Sequence, residues 1–406
     1  AMANTITMKS GAAILAPSAE VSMVATVTPS APLQDGLPAN DTRIELQPGS
    51  VIDVSGTETA LVDYERNMLR VELRGNELRD NPVNRDGPIR GQAVIVDARR
   101  GTDFADVSAF IDNIGRTVDE RLSTGGSISL RAEGTIDAQQ DAVLDVSGGL
   151  VTVTGGERTT SFLERDGELT SITDADPNLL YNRVASAEEA GRSSIFEPTY
   201  RQGQDAGSVN LAARNLRLGS TVLGATVRGV NQRNPATTLA EGQVFRAFDE
   251  VPLGGQLILG DTQSLTDFKL GNVTIGQAAD PSALSLDPTS LEVGGIGRVQ
   301  IYANGEILIA DGQALKVAPG GDVLLRGGLV QIDGAIDARA GTITVDADNT
   351  LEIQGDRSNL TLSDGAVIDV SGEWINEDAD LVSGAQPAAL FVDAGSVSLE
   401  AAGDLT

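Results

Sequence analysis

The chain has 406 residues, with 58 acidic side chains against 29 basic ones and a formal net charge of −29. That balance excludes a nucleic-acid partner, whose phosphates need a basic footprint, and docking to an anionic membrane surface. There is no cysteine and no histidine, which removes disulfides, thiolate metal sites, a cysteine nucleophile, a Ser-His-Asp triad and imidazole-held zinc.

The N-terminal stretch AMANTITMKSGAAILAPSAEV lacks the basic start and continuous apolar run of a signal peptide; Ala1-Met2 reads as a cloning remnant. No apolar run approaches the roughly 18 residues that span a bilayer. Residues 1–44 are rich in Ala, Pro, Ser and Thr and read as a partial coil and a loop. Regular patterning begins at Arg43, in RIELQPGSVIDVSG. Residues 61–124 form a charged, arginine-rich insertion carrying Phe104 and Phe110. Within it, Phe110, Ile111, Ile114 and Val118 have helical spacing, which predicts one short amphipathic helix over 108–120. Gly126 reopens the regular pattern (GSISLRAEGTIDA), and a second insertion spans 157–206 with Phe162, Tyr181, Phe196 and Tyr200. Gly207 opens the next regular segment. A third insertion covers 231–254 with Phe245 and Phe248, followed by Gly271 (GNVTIG), and a fourth covers 373–394 with Trp374 and Phe391. Aromatics gathered in insertions mean either small satellite cores beside a regular body or exposed contact surfaces, and the need of such loops to bury something favours satellite cores.

The most regular stretch runs from Gly297 to Gly372. Its units open at Gly297, Gly321 and Gly341, first 24 and then 20 residues apart. Inside a unit the apolar residues alternate, as in Val299, Ile301 and Ala303, then Ile307 and Ile309, then Leu315 and Val317. Period-two alternation bounded by Gly, Asp and Asn means short strands joined by turns. A repeat of about twenty residues built only from these is the mark of a β-solenoid. The expected fold is all-β: a right-handed parallel β-helix over 45–406, with loops and small subdomains inserted. With 46 glycines and only 3% aromatic residues, the composition suits a narrow aliphatic core.

One heptad occurs three times, as Ser50–Gly56 (SVIDVSG), Ala142–Gly148 (AVLDVSG) and Ala366–Gly372 (AVIDVSG). The Asp reads as a turn residue accepting backbone N–H groups, with Ser-Gly completing the corner. Spacings of 92 and 224 residues place the three copies on separated coils. GSVSLEAAGDLT, from Gly395 to Thr406, reads as the first half of a further coil. Cut mid-repeat, the chain is expected to be a fragment of a longer protein.

The segments GSISLRAEGTIDAQQDAVLDVSGG and SDGAVIDVSGEW resemble the filamentous-haemagglutinin-type exoproteins of two-partner secretion. LRVELRGNELRDNPVNRDGPIRGQAVIVDAR and QGQDAGSVNLAARNLRLGSTVLGATVRG are similar to stretches of one large subgroup of that family. The resemblance covers about 43–406. It implies a right-handed β-helix, export through an outer-membrane β-barrel partner, and a secreted or cell-surface fibrous adhesin of a Gram-negative bacterium. Its partners would be a host-cell or neighbour-cell receptor or glycan. The family's secretion domain carries an Asn-Pro-Asn-type motif at the mature N-terminus. Here the nearest match, Asp176-Pro177-Asn178-Leu179, is mid-chain and coincidental, so no family residue is carried over.

On chemistry, the alternative is a β-helix polysaccharide lyase or glycosidase working with carboxylates in a lateral cleft. Asp333 and Asp337 lie four apart, and the lysines, Lys9, Lys269 and Lys316, are scattered. Turn chemistry suffices for these residues. The glycine-rich Asp nonapeptides of calcium-dependent solenoids are missing. The residues therefore single out no catalytic, cofactor-binding or metal-ligating set. Open strand edges at the two ends predict end-to-end self-association.

Overall fold

The structure is a computed structural model, and it describes residues 1–28, 40–192, 195–235, 246–260, 271–348, 358–375 and 390–406. Phe245, Lys269 and the middle of the 373–394 insertion lie outside that set. The described chain is mostly β, and its main sheets are parallel. In the largest sheet, Met2–Ala3, Glu20–Ala25, Ser127–Ala138, Ser208–Leu218, Gly255–Leu259, Ile296–Tyr302, Asp322–Gly327, Thr342–Ala347 and Ser396–Ala401 lie side by side in that order. Every neighbouring pair is parallel.

Register converts the sequence alternation into continuous columns. Val21, Ile128, Val209, Leu257, Val299, Val323, Ile343 and Val397 are successive partners. So are Met23, Leu130, Leu211, Leu259, Ile301, Leu325, Val345 and Leu399. All of these side chains but Val397, which is exposed on the last strand, enter or pack against one long aliphatic core, because successive strand residues point to opposite faces. The column between them, with Ser129, Asn210, Gln300, Thr344 and Ser398, faces out.

Two further sets of short parallel strands close the core. One holds Val273–Ile275, Leu284–Leu286, Glu306–Ile309, Leu329–Ile332 and Leu360–Leu362. The other is split into Ala13–Leu15, Val51–Asp53, Val143–Asp145 and Thr221–Leu223, then Ala314–Lys316, Ala335–Asp337 and Val367–Asp369. A short helix, Pro288–Val293, packs against both halves of this second set, and Asp287 caps it through the Thr289 N–H. The repeat reading did not anticipate this helix. One repeat thus supplies three strands: Asp322–Gly327, Leu329–Ile332 and Ala335–Asp337.

Close approach explains the opening glycines. A Cβ on Gly207 would strike the carbonyl oxygen of Gly126; on Gly321, that of Gly297; on Gly341, that of Gly321; on Gly395, that of Gly341. Gly271 does not belong to this column. It opens the Val273–Ile275 strand of another sheet, and the column member missed by the sequence reading is Gly255, just before Gln256, the partner of Ser208 and Arg298.

The heptads bring a correction. Val143, Leu144 and Asp145 pair directly with Val51, Ile52 and Asp53, so the first two copies are adjacent despite 92 intervening residues. Insertion length does not separate layers when the inserted chain leaves the stack and returns. The aspartates act as expected at turns: Asp53, Asp145 and Asp369 accept from the N–H of Ser55, Ser147 and Ser371 at 2.9, 2.9 and 2.8 Å. The single helix expected over 108–120 is two short ones, Ser108–Asp112 and Val118–Arg121, parted around Gly115. Thr117 caps the second and forms a capping box with Glu120, which pins the break.

Ile301 and Leu325 are fully buried neighbours in one column. Aspartate at either position buries an unpaired charge between layers and is expected to lower stability by about 4 kcal/mol. Urea denaturation of I301D and L325D checks this; midpoints equal to the parent's would refute the inward register.

Candidate binding site

Three of the four insertions leave the stack at the heptad corners. A Cβ on Gly56 would meet the Ser123 carbonyl, one on Gly148 the Gln204 carbonyl, and one on Gly372 the Val392 carbonyl. Each of these partners lies where the insertion following that heptad returns. The heptad glycine is therefore the neck through which the chain leaves and re-enters. Just beyond the first two necks, Ala60–Val62 pairs in parallel with Leu150–Val153, and Tyr200–Gly203 pairs with Leu150–Val153 from the other side.

Because Gly56 and Gly148 sit on adjacent layers, segments 61–124 and 157–206 emerge side by side, and they fold together. A second cluster of buried side chains, separate from the main core, takes Val71, Leu73, Leu78, Ile89, Val94, Val96, Phe104 and Val107 from the first segment. Leu163, Ile172, Ala175 and Tyr181 come from the second. Phe104 and Tyr181 meet edge to face with centroids 5.5 Å apart. Asn84, fully buried, donates to the Leu179 carbonyl at 2.7 Å and accepts from the Tyr181 N–H at 3.0 Å. Ser161 bonds both the N–H and the carbonyl of Ile95. The expected satellite cores are present as this core shared by two insertions and as a smaller cluster of Ala60, Val62, Tyr64, Val151, Val153 and Tyr200, against which Phe248 packs. Not every aromatic is inside it: Phe196 and Phe391 are 65% and 75% exposed.

Where the satellite meets the stack, Arg99 is the hub. Its guanidinium takes Asp97 through two bonds, at 2.9 and 2.6 Å, and Glu197 at 2.8 Å. It also donates to the Tyr64 hydroxyl at 2.9 Å and lies 4.8 Å from the Tyr64 ring and 5.0 Å from the Phe248 ring. Residues from three insertions therefore converge on one cation, in an arrangement combining charge-assisted hydrogen bonds with cation–π contact. Burial pulls the Arg99 guanidinium down, but its bonds to Asp97 and Glu197 outweigh that and hold it above its ordinary value. Burial also pushes the Tyr64 phenol up to about 12 and raises Tyr181, Tyr200 and Tyr302.

On the far side of this hub the satellite opens a cavity of about 440 Å³, lined by Arg100, Arg158, Arg192, Phe162, Thr160 and Ser171 among others. Phe162 belongs to the second expected insertion and Arg100 to the arginine-rich first one, but the sequence pointed to no site there. The usable signal was the shared heptad before both insertions, which sets them on adjacent layers. Asp333 and Asp337, weighed as a carboxylate pair, have separate partners. Asp333 bonds Gln331 and Ser363, whose hydroxyl and amide hold its carboxyl below the usual range. Asp337 lies 3.5 Å from Arg339. Lys316 lies 3.9 Å from Glu292. Asp176 accepts from the Asn178 N–H in a local turn. Among the described residues no group of three His, Cys, Asp or Glu side chains is placed to hold a metal ion, and no helix is long and apolar enough to cross a membrane.

Asn84→Ala strands the Tyr181 N–H and the Leu179 carbonyl. It is expected to destabilise the satellite by about 2 kcal/mol; hydrogen exchange should speed over 71–107 and 163–184 and stay slow over 296–347. Tyrosine titration supplies a second check. A phenol whose ionisation is raised on folding contributes stability that is complete below pH 10 and lost as pH rises towards 12. Tyrosinate absorbance should therefore rise later in the folded chain than in the urea-unfolded chain, and Tyr64→Phe should remove the component near 12. Coincident curves would contradict the buried hub.

Comparison of the chain with protein-family models, curated proteins and solved structures finds no match in any of the three.

Proposed function

We propose that the chain is a segment of a right-handed parallel β-helix, the rod of a large secreted or cell-surface fibrous adhesin, with recognition carried by the laterally inserted satellite. The observation that carries the reading is the in-register return of the chain, in which Arg298, Asp322, Thr342 and Ser396 fall on successive neighbouring strands. A chain that stacks on itself in this way extends indefinitely by adding repeats, which suits a spacer. The residues resembling filamentous-haemagglutinin-type exoproteins point to the same role, with export through an outer-membrane β-barrel and display outside a Gram-negative cell. Attachment to a host-cell or neighbour-cell receptor or glycan follows from that reading. In the isolated chain the Met2–Ala3 and Ser396–Ala401 strands end the largest sheet, and end-to-end self-association through them belongs to the proposal.

The test is attachment of the purified chain to cultured epithelial and bacterial cells. Since segments 61–124 and 157–206 share a core, removing one alone exposes the other's apolar half. The informative variant replaces 64–121 and 155–199 together with short Gly-Ser linkers. Attachment by the parent and its loss from this variant, with the β-rich circular dichroism retained, is the expected outcome. Equal attachment by both proteins, or none by the parent, would overturn the reading.

A further inference from the structure

We infer that the satellite cavity binds an acidic sugar, one ring carrying a carboxylate; this deepens the adhesin reading and rests on it. The chain as a whole carries −29, yet this cavity gathers three arginines, Arg100, Arg158 and Arg192, against one carboxylate, Asp174. The arginines are only loosely engaged by the protein. Arg99 occupies Asp97 and Glu197 at 2.6 and 2.8 Å, which leaves Arg100 at 3.9 Å from Asp97 and Arg158 at 3.6 Å from Glu197. Arg192 is exposed and makes no ion pair or side-chain hydrogen bond among the described residues. The hub thus consumes the local carboxylates and leaves three guanidinium groups facing one space.

A guanidinium fork matches a planar carboxylate in two parallel hydrogen bonds. The remaining lining suits a sugar ring better than a peptide side chain. Thr160, Thr170, Ser171 and Thr173 line the cavity with hydroxyls, groups that both donate to and accept from ring hydroxyls. Phe162 supplies an apolar face. It alternates with Leu163, which is fully buried in the satellite core, so Phe162 points to the opposite face of its strand. That strand is hydrogen-bonded on both sides, to Glu168–Ser171 and Arg183–Ala185, and a rigid platform loses little entropy on binding. A volume of about 440 Å³ is within the range of small-ligand sites. Asp174 accepts from sugar hydroxyls and disfavours a densely charged polyanion.

Calorimetric titration of the full chain settles the point, using a trisaccharide ending in glucuronate, its neutral glucose counterpart, a sulfated counterpart and a short polyglutamate peptide. The glucuronate probe should bind at least tenfold more tightly than each of the others, with affinity falling as salt rises. Arg192→Gln and Arg100→Gln, both exposed, with Arg100 in only a long 3.9 Å contact to Asp97 of the hub, should weaken it tenfold or more while melting at the parent temperature. No binding of the glucuronate probe overturns the proposal, as does equal or tighter binding of the neutral, sulfated or peptide probe, or binding unaffected by both substitutions. Cell attachment by the same variants separates the two readings. Attachment that survives loss of the site leaves the adhesin standing without this ligand, and a saccharide bound by a chain that attaches to no cell leaves the site standing without the adhesin.

Discussion

Backbone approach at the glycine columns is the constraint on which the structure depends. Layers stack through parallel hydrogen bonds at about 4.8 Å, and where the chain turns into a new layer its carbonyl points at the residue above. At Gly207, Gly321, Gly341 and Gly395 no side chain fits, and substitution there would force layers apart along the whole column. Only when that spacing holds do the apolar columns from Val21 to Ile343 and from Met23 to Leu399 close. The core is then a narrow stack of aliphatic contacts enclosed by three sets of strands, which explains why it is built from Val, Ile, Leu, Ala and Met without rings.

The same spacing governs the insertions. At a heptad corner a chain can depart and return without interrupting a strand, provided its glycine leaves room for the returning backbone. Neighbouring corners lie a layer apart, so segments departing from them are held within contact distance from the outset. That proximity offsets much of the entropy of joining two segments. The shared core around Phe104 and Tyr181 follows from it, as does the convergence of Tyr64, Glu197 and Phe248 on Arg99.

How much of this was legible in the sequence varies with the kind of information involved. Period-two alternation made the strands and their inward residues from Val299 to Val317 legible, because burial imposes that pattern locally. The Asp-Val-Ser-Gly corners were legible for the same reason: the Asx turn is made within three residues. Layer adjacency was not, since 92 residues between Asp53 and Asp145 say nothing about distance once the intervening chain leaves and returns. The helix at Pro288–Val293 went unread although Asp287 and Pro288 form a start signal, because the repeat pattern dominated the reading. Two short helices replaced one over 108–120 because a capping box at Thr117 outweighs the apolar spacing of Phe110, Ile111, Ile114 and Val118.

The site was hidden for a further reason, which concerns charge. Arginines scattered through 61–206 look like a solvated surface when counted along the chain, and most of them are: Arg74, Arg79, Arg85 and Arg90 pair with near neighbours at exposed positions, where such pairs contribute little. What distinguishes Arg100 and Arg158 is the prior claim of Arg99 on Asp97 and Glu197, the carboxylates nearest them. A buried hub that satisfies its own charge at short range leaves the more distant arginines with their donors turned to a common space. A folded chain with a large negative charge can in this way present a local cationic cavity, and the hub that anchors the satellite to the stack is also what keeps that cavity open to an anion.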